Sequence, residues 1–247
     1  MSESLIPGFV TVRTSSTRLP NKCLLPFGDG NVLEHVIRRA LRYGIDPIIC
    51  TSVDRSDDII EQIAAKEGVK FFRGSLTNKL KRWSDCALKF KLDAFHTVDA
   101  DDPFFDGEEM HESMRLLKEK NYDIVAPTDS SSNGGASVGY SLTTDIVKRG
   151  WVGLADDADT EMMWYYLEKL PERKSVVLED TRNRPEKLRL TLDYQEDYWL
   201  LATVQRLTSS TAPRKEIDDL FRRNPDLYKI NWFHNQDWKE AQLAKKI

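Results

Sequence analysis

An α/β fold built on a mostly parallel sheet flanked by helices is predicted for this chain. Short apolar runs closed by turn residues alternate with stripes of helical period, and each stripe is bounded by a cap or a glycine. That rhythm is the mark of a parallel sheet covered on both faces. Ile6 to Val12 reads as the first strand, apolar and followed by a turn-rich stretch. Asn31 then offers an N-cap with Glu34 three positions on, and Val32, Leu33, Val36, Ile37, Ala40 and Leu41 make a helical stripe that ends at Gly44. A strand over 47–51 precedes a helix over 56–66, with Ile59, Ile60, Ile63 and Ala64 turned inward and Gly68 as its stop. Residues 69–72 form a third strand, 80–92 a third helix and 94–98 a fourth strand that runs into an acidic cluster.

The second half is less regular. A strand is expected over 122–127, a Ser/Gly-rich loop over 129–135, a strand over 137–142 and a helix over 160–170, whose Trp164, Tyr165 and Tyr166 suit a core or a dimer interface. A late strand over 188–192, a helix over 195–207, a Ser/Thr/Pro stretch over 209–213 and a helix over 215–223 complete the reading. No internal repeat or long linker divides the 247 residues, so a single domain is expected.

Lys plus Arg number 36 against 40 for Asp plus Glu, a net charge of -4, so no basic field advertises nucleic acid as a partner. The stretch from Met1 to Val10 has neither a basic leader nor a long apolar core, and no run approaches the ~20 apolar residues of a membrane span. The expected location is the cytoplasm. Cys23, Cys50 and Cys86 are scattered, as reduced thiols are. The four histidines, His35, His96, His111 and His234, show no metal-ligand spacing, so no zinc site is expected.

Two features carry chemistry. The segment Arg13-Thr14-Ser15-Ser16-Thr17-Arg18-Leu19-Pro20-Asn21-Lys22 packs three cations and a run of hydroxyls directly after a strand. Such a loop can grip a polyanion, because guanidinium forks, an ammonium, hydroxyls and backbone N–H groups converge on delocalised charge. The bland alternative is a solvated turn with chance arginines. Asp99, Asp101 and Asp102 close the fourth strand, where open α/β sheets place their ligands, and two carboxylates suffice for Mg²⁺ when phosphates and waters complete its shell. Asp101 could instead cap or turn the chain before Pro103, and Asp193 could cap the next helix. Asp99-Ala100-Asp101 is also a D-x-D, a metal motif of glycosyltransferases.

The spacing Arg13 to Pro26, R-x-x-S-T-R-L-P-x-K-x-L-L-P, resembles the N-terminal signature of the cytidylyltransferases that include the CMP-Kdo and CMP-sialic acid synthetases, most of all the branch named for the spore-coat polysaccharide protein SpsF. Leu33 to Ile37, Phe72 to Ser75, Asp101-Asp102-Pro103, Arg189 to Asp193, Glu196-Asp197 and Asn224 to Leu227 follow in the same order. The resemblance implies a Rossmann-like (GT-A-like) sheet, a nucleotide half over about 1–127 and a smaller acceptor and dimerisation half over about 128–247. It implies CTP and a small acceptor, a sugar acid or phosphorylated precursor, as substrates, Mg²⁺ on Asp101 and Asp193, and a homodimer. Arg13, Arg18 and Lys22 would neutralise a leaving pyrophosphate, with Ser15 and Ser16 as further phosphate donors. Arg73 is a candidate nucleotide contact or a structural ion pair. The acceptor half departs from the pattern: Gly135 to Tyr140 lacks the carboxylates of a G-L-D-V-E-type segment, and Met162 follows Glu161 where relatives carry histidine. That puts the identity of the acceptor in doubt.

Overall fold

The computed structural model describes residues 5–180, 185–209, 211–237 and 240. The first four residues and Ser210, which fall within stretches read above, lie outside the described residues. The chain alternates strands β1 (Ile6–Thr11), β2 (Pro26–Phe27) and β3 (Gly30–Asn31), helix α1 (Val32–Arg42), β4 (Ile45–Ser52), α2 (Asp58–Lys66), β5 (Lys70–Gly74), α3 (Lys79–Phe90) and β6 (Ala94–Asp99). There follow α4 (Gly107–Lys120), β7 (Ile124–Ala126), α5 (Asp129–Ser132), β8 (Ser141–Thr143), α6 (Thr144–Trp151), α7 (Trp164–Leu167), β9 (Ser175–Val177), α8 (Gln195–Leu207) and α9 (Arg214–Arg223). The cap expected at Asn31 is present: its side chain accepts from the Glu34 N–H at 2.9 Å while Glu34 accepts from the Asn31 N–H at 2.8 Å.

Among the described residues, seven strands form one sheet in the order β5-β4-β1-β6-β8-β7-β9, in which β8 alone runs against its neighbours β6 and β7. Successive residues of a strand face opposite sides. Val10 and Ile49 therefore pack with Ile37, Ile60 and Met110 on one face, while Phe9 and Ile48 pack with Leu80, Trp83 and Ile146 on the other. A third cluster joins Leu190 and Leu192 to Leu200, Leu201 and Ile217 of α8 and α9. Among the described residues, no helix is long and apolar enough to cross a membrane.

The second half differs from its expected pattern. α4, capped by Asp106, α6, capped by Thr143, and β9 were not anticipated, although Met110, Met114 and Leu117 of α4 bury one helical face. The strand expected over 137–142 is displaced to β8. Gly139 adopts φ +78, and a Cβ there would clash with the Thr97 carbonyl, so the chain kinks before it can pair. The helix expected over 160–170 contracts to α7. Residues 188–192 join no ladder: they run between two segments, the Leu190 N–H donating to the Gly134 carbonyl and the Leu192 N–H to the Asp101 carbonyl, both at 2.7 Å.

Two core histidines are expected to make the fold acid-labile. His35 donates from Nε2 toward the Pro103 carbonyl at 3.0 Å, and His96 sits wholly buried between Ser141 and the Val138 carbonyl. Burial, aided at His35 by repulsion from Arg39, pushes both imidazoles down to about 4. An unfolded histidine takes up its proton near 6.5. Both groups therefore contribute their full stability above that pH and lose it as pH falls toward 4, by about 3 kcal/mol each. Urea midpoints should fall steeply across this window; midpoints flat from pH 7 to pH 4 would contradict the assignment.

Candidate active site

From β1 the chain winds outward through β4 to β5 and then returns across β1 to β6. Connections thus leave β1 and β6 in opposite directions, which opens a crevice at their carboxyl ends. The Arg13 to Lys22 loop lines it on one side and the Asp99 to Asp102 turn on the other, in a cleft of about 1030 Å³. The loop is anchored by buried Thr14, whose N–H and hydroxyl donate to Asp57 Oδ1 at 2.8 and 2.9 Å. Asn21, a residue that tolerates left-handed backbone, turns the chain at φ 55 into the short 3₁₀ turn Lys22–Leu24. Arg13, Ser15, Ser16, Arg18 and Lys22 all line the cleft.

Each cation is met by a carboxylate distant in sequence. The Lys22 Nζ donates to Asp101 Oδ2 at 2.6 Å, the Leu192 carbonyl at 2.7 Å and Asp193 Oδ1 at 2.9 Å. Arg18 reaches Asp193 Oδ1 at 2.7 Å and lies over the Tyr194 ring. Arg13 binds Glu161 at 2.8 Å and the Leu76 carbonyl at 3.0 Å. Burial works against the Lys22 charge, but Asp101 and Asp193 outweigh it and raise its pKa above the ordinary lysine range. Burial likewise opposes the Asp193 charge, and Lys22 and Arg18 outweigh it, so this carboxyl is held below the usual range. Burial, with Asp101 and Asp99 alongside, pushes Asp102 well up; its Oδ1 accepts from the Thr191 hydroxyl at 2.7 Å.

Neither carboxylate is a helix cap. α4 is capped by Asp106, and α8 begins after Tyr194. Asp193 is instead held in place by wholly buried Asp197, whose Oδ2 accepts from the Asp193 and Tyr194 N–H groups at 2.9 and 3.0 Å. Asp197 is fixed in turn by a two-pronged bond from Arg189, at 2.8 and 2.9 Å.

Residues 8–163, more than half of the chain, match the family model described as Cytidylyltransferase. The chain belongs to the cytidylyltransferase family. It is a nucleotidyltransferase, and the rest of its length has relatives too. It is 27% identical over 231 residues to the spore coat polysaccharide biosynthesis protein SpsF of Bacillus subtilis, covering 88% of this chain and 94% of that one. An uncharacterised protein of Methanocaldococcus jannaschii is 26% identical over 231 residues, 92% of this chain and 94% of its own. The fold is shared with a cytidylyltransferase from Leptospira borgpetersenii (TM-score 0.79, 22% identity, 92% and 97% of the two chains). It is also shared with a CMP:2-keto-3-deoxy-manno-octonic acid synthetase complexed with CTP (TM-score 0.63, 13% identity, 83% and 99%).

One candidate of this cytidylyltransferase is displaced from the site. Arg73 does not line the cleft: it pairs with Asp58 at 2.7 Å and Glu61 at 3.2 Å and donates to the carbonyls of Ser52 and Asp54, so the ion-pair reading describes it. Four participants escaped the sequence reading. Asp57 and Asp197 act at one remove, through backbone N–H groups; Asp57 belongs to no motif, and Asp197, quoted above within the family pattern, was given no role. Glu161, read above only as a remnant of an acceptor motif, crosses the cleft to Arg13. Lys79, the first residue of α3, lines the cleft between Asp99 and Glu161. A cation at a helix N-terminus opposes the helix dipole, and that broken local rule was the available signal.

Proposed function

We propose that the chain transfers the cytidylyl group of CTP to an oxygen of a small polysaccharide precursor, a sugar acid or phosphorylated polyol, and releases pyrophosphate. The observation that carries this reading is the convergence of Asp101 and Asp193 on a single ammonium beside the polycationic loop. In the reaction the acceptor oxygen attacks the α-phosphorus in line, the bond to the bridging oxygen breaks and pyrophosphate departs. Arg13, Arg18 and Lys22 neutralise the charge that grows on the leaving group, and the Ser15 and Ser16 hydroxyls hydrogen-bond it. Preorganised donors of this kind need no rearrangement at the moment of reaction. The paired carboxylates hold the loop in shape until phosphate arrives.

Asp101 and Asp193 also fit a magnesium ion. Both present hard oxygen donors to one cation, and Mg²⁺ prefers one or two carboxylates with phosphates and waters. Among the described residues no group of three or more His, Cys, Asp or Glu is placed to hold a metal ion, so phosphate oxygens and waters would have to complete the shell. When bound, the ion would withdraw electrons from the α-phosphate and balance its charge. Asp99, the other half of the D-x-D, faces Lys79 at 3.8 Å.

The test is pyrophosphate release on incubation with each of the four nucleoside triphosphates, Mg²⁺ and a pool of sugar acids and phosphorylated polyols. Release with CTP alone is expected. Turnover of UDP- or GDP-sugars without pyrophosphate would establish a glycosyltransferase instead, and binding without turnover would sink the enzymatic reading. Calorimetry on the nucleotides alone should rank CTP first.

A further inference from the structure

Lys79 differs from every other cation in the cleft in the quality of its contacts. Lys22 satisfies three acceptors within 2.9 Å, whereas Lys79, only 8% exposed, has its nearest described partners at 3.5 Å (Glu161 Oε1) and 3.8 Å (Asp99 Oδ1). Ammonium hydrogen bonds of ordinary strength are shorter than either. The stem is nevertheless fixed. Its Nζ lies 4.9 Å over the Trp83 ring, and Trp83 is pinned by its indole N–H to the Thr11 hydroxyl at 2.9 Å. A buried ammonium held rigidly at a cleft wall with only one long hydrogen bond, to Glu161 at 3.5 Å, is poorly compensated unless a further acceptor meets it.

Its surroundings say what that acceptor is. Asp99 and Glu161 keep Lys79 charged, their attraction exceeding the cost of burial. The same two carboxylates repel a phosphate, and the phosphate-gripping loop already has cations of its own. What matches a donor flanked by acceptors is a neutral ring that offers an acceptor beside a donor. Cytosine does so: ring N3 and the O2 carbonyl accept, and the adjoining exocyclic amine donates. Uracil carries a proton on N3 and a carbonyl in place of the amine, so at these two positions it meets the same wall with both signs reversed, O2 being an acceptor in both bases, and mismatched polar groups in a buried site are strongly discriminating.

We propose that Lys79 reads the nucleotide base, donating to the acceptor edge of cytosine while Asp99 or Glu161 takes its amine. This rests on the CTP reading above and adds the residue responsible for choosing cytosine over uracil. The experiment is calorimetric titration of the wild type and of Lys79→Met and Lys79→Gln with CTP, UTP and inorganic tripolyphosphate, with a thermal melt of each protein. Both variants should bind CTP about 10- to 100-fold more weakly, the scale of one charge-assisted hydrogen bond. UTP and tripolyphosphate should bind as before, so the CTP preference collapses. Equal losses for CTP and tripolyphosphate would make Lys79 a phosphate contact and overturn the proposal. Unchanged CTP affinity, or two variants that both fail to fold, would mark it as a structural cation. A wild type that binds tripolyphosphate without preferring CTP would sink the parent reading itself, whereas a CTP-selective wild type whose variants keep that preference sinks this inference alone.

Discussion

Lys22→Ala is expected to lower turnover with CTP by 10²- to 10³-fold, the range for removing one preorganised electrostatic donor. The side chain does two jobs at once. It faces the cleft, where the proposed reaction puts the leaving phosphates, and it gathers Asp101 and Asp193 around one nitrogen. Removing it leaves Asp193, 2% exposed, with Arg18 and the more distant Arg189 as its balancing charges. Breaking a fully buried ion pair costs about 3–5 kcal/mol. The cost here should fall below that, because Asp101 is about a third exposed and water screens it. The thermal midpoint should therefore drop by a few degrees while the protein stays folded. Lys22→Arg should not restore the rate, since a planar fork cannot present three donors to three converging oxygens. Wild-type turnover in Lys22→Ala would remove the loop from the reaction.

The second large effect concerns the two carboxylates as a unit. Asp101→Asn and Asp193→Asn each keep shape and hydrogen-bonding capacity but lose a charge. Each should cut turnover by about 10²-fold and raise the Mg²⁺ concentration needed for half-maximal rate. Because both oxygens face one cation, the double variant should lose far less than the product of the single losses. Defects that simply multiply would show two separate jobs. Asp197→Asn offers an internal contrast. It leaves Asp193 charged but weakens the acceptor that orders its backbone, so its defect should be smaller and shared with stability.

The front half of the fold was legible in residue order because its signals are local. An apolar run of strand length, the cap at Asn31 and the stop at Gly68 act over a few residues, and the expected elements through β6 stand within a few positions of the observed ones. The polycationic loop after β1 and the aspartates at the end of β6 could be named for the same reason: residue type and a neighbouring strand end suffice, whereas Asp193 follows no strand and was named through the family resemblance. The back half resisted, since β8 is set by a close approach of Gly139 to Thr97, and 188–192 spans two distant carbonyls rather than pairing in a ladder.

What the sequence by itself determined is therefore the alternation of elements in the front half and the residue types of the loop and of the candidate carboxylates. Only the tertiary structure decided their partners. Lys22 meets Asp101 across 79 residues and Asp193 across 171, Glu161 crosses the cleft to Arg13, and Arg73 turns away to Asp58 while Lys79 turns in. Periodicity and capping report energies that act within a turn of helix or a strand, whereas these pairings depend on strand order and crossover direction, which bring together groups that share no local pattern.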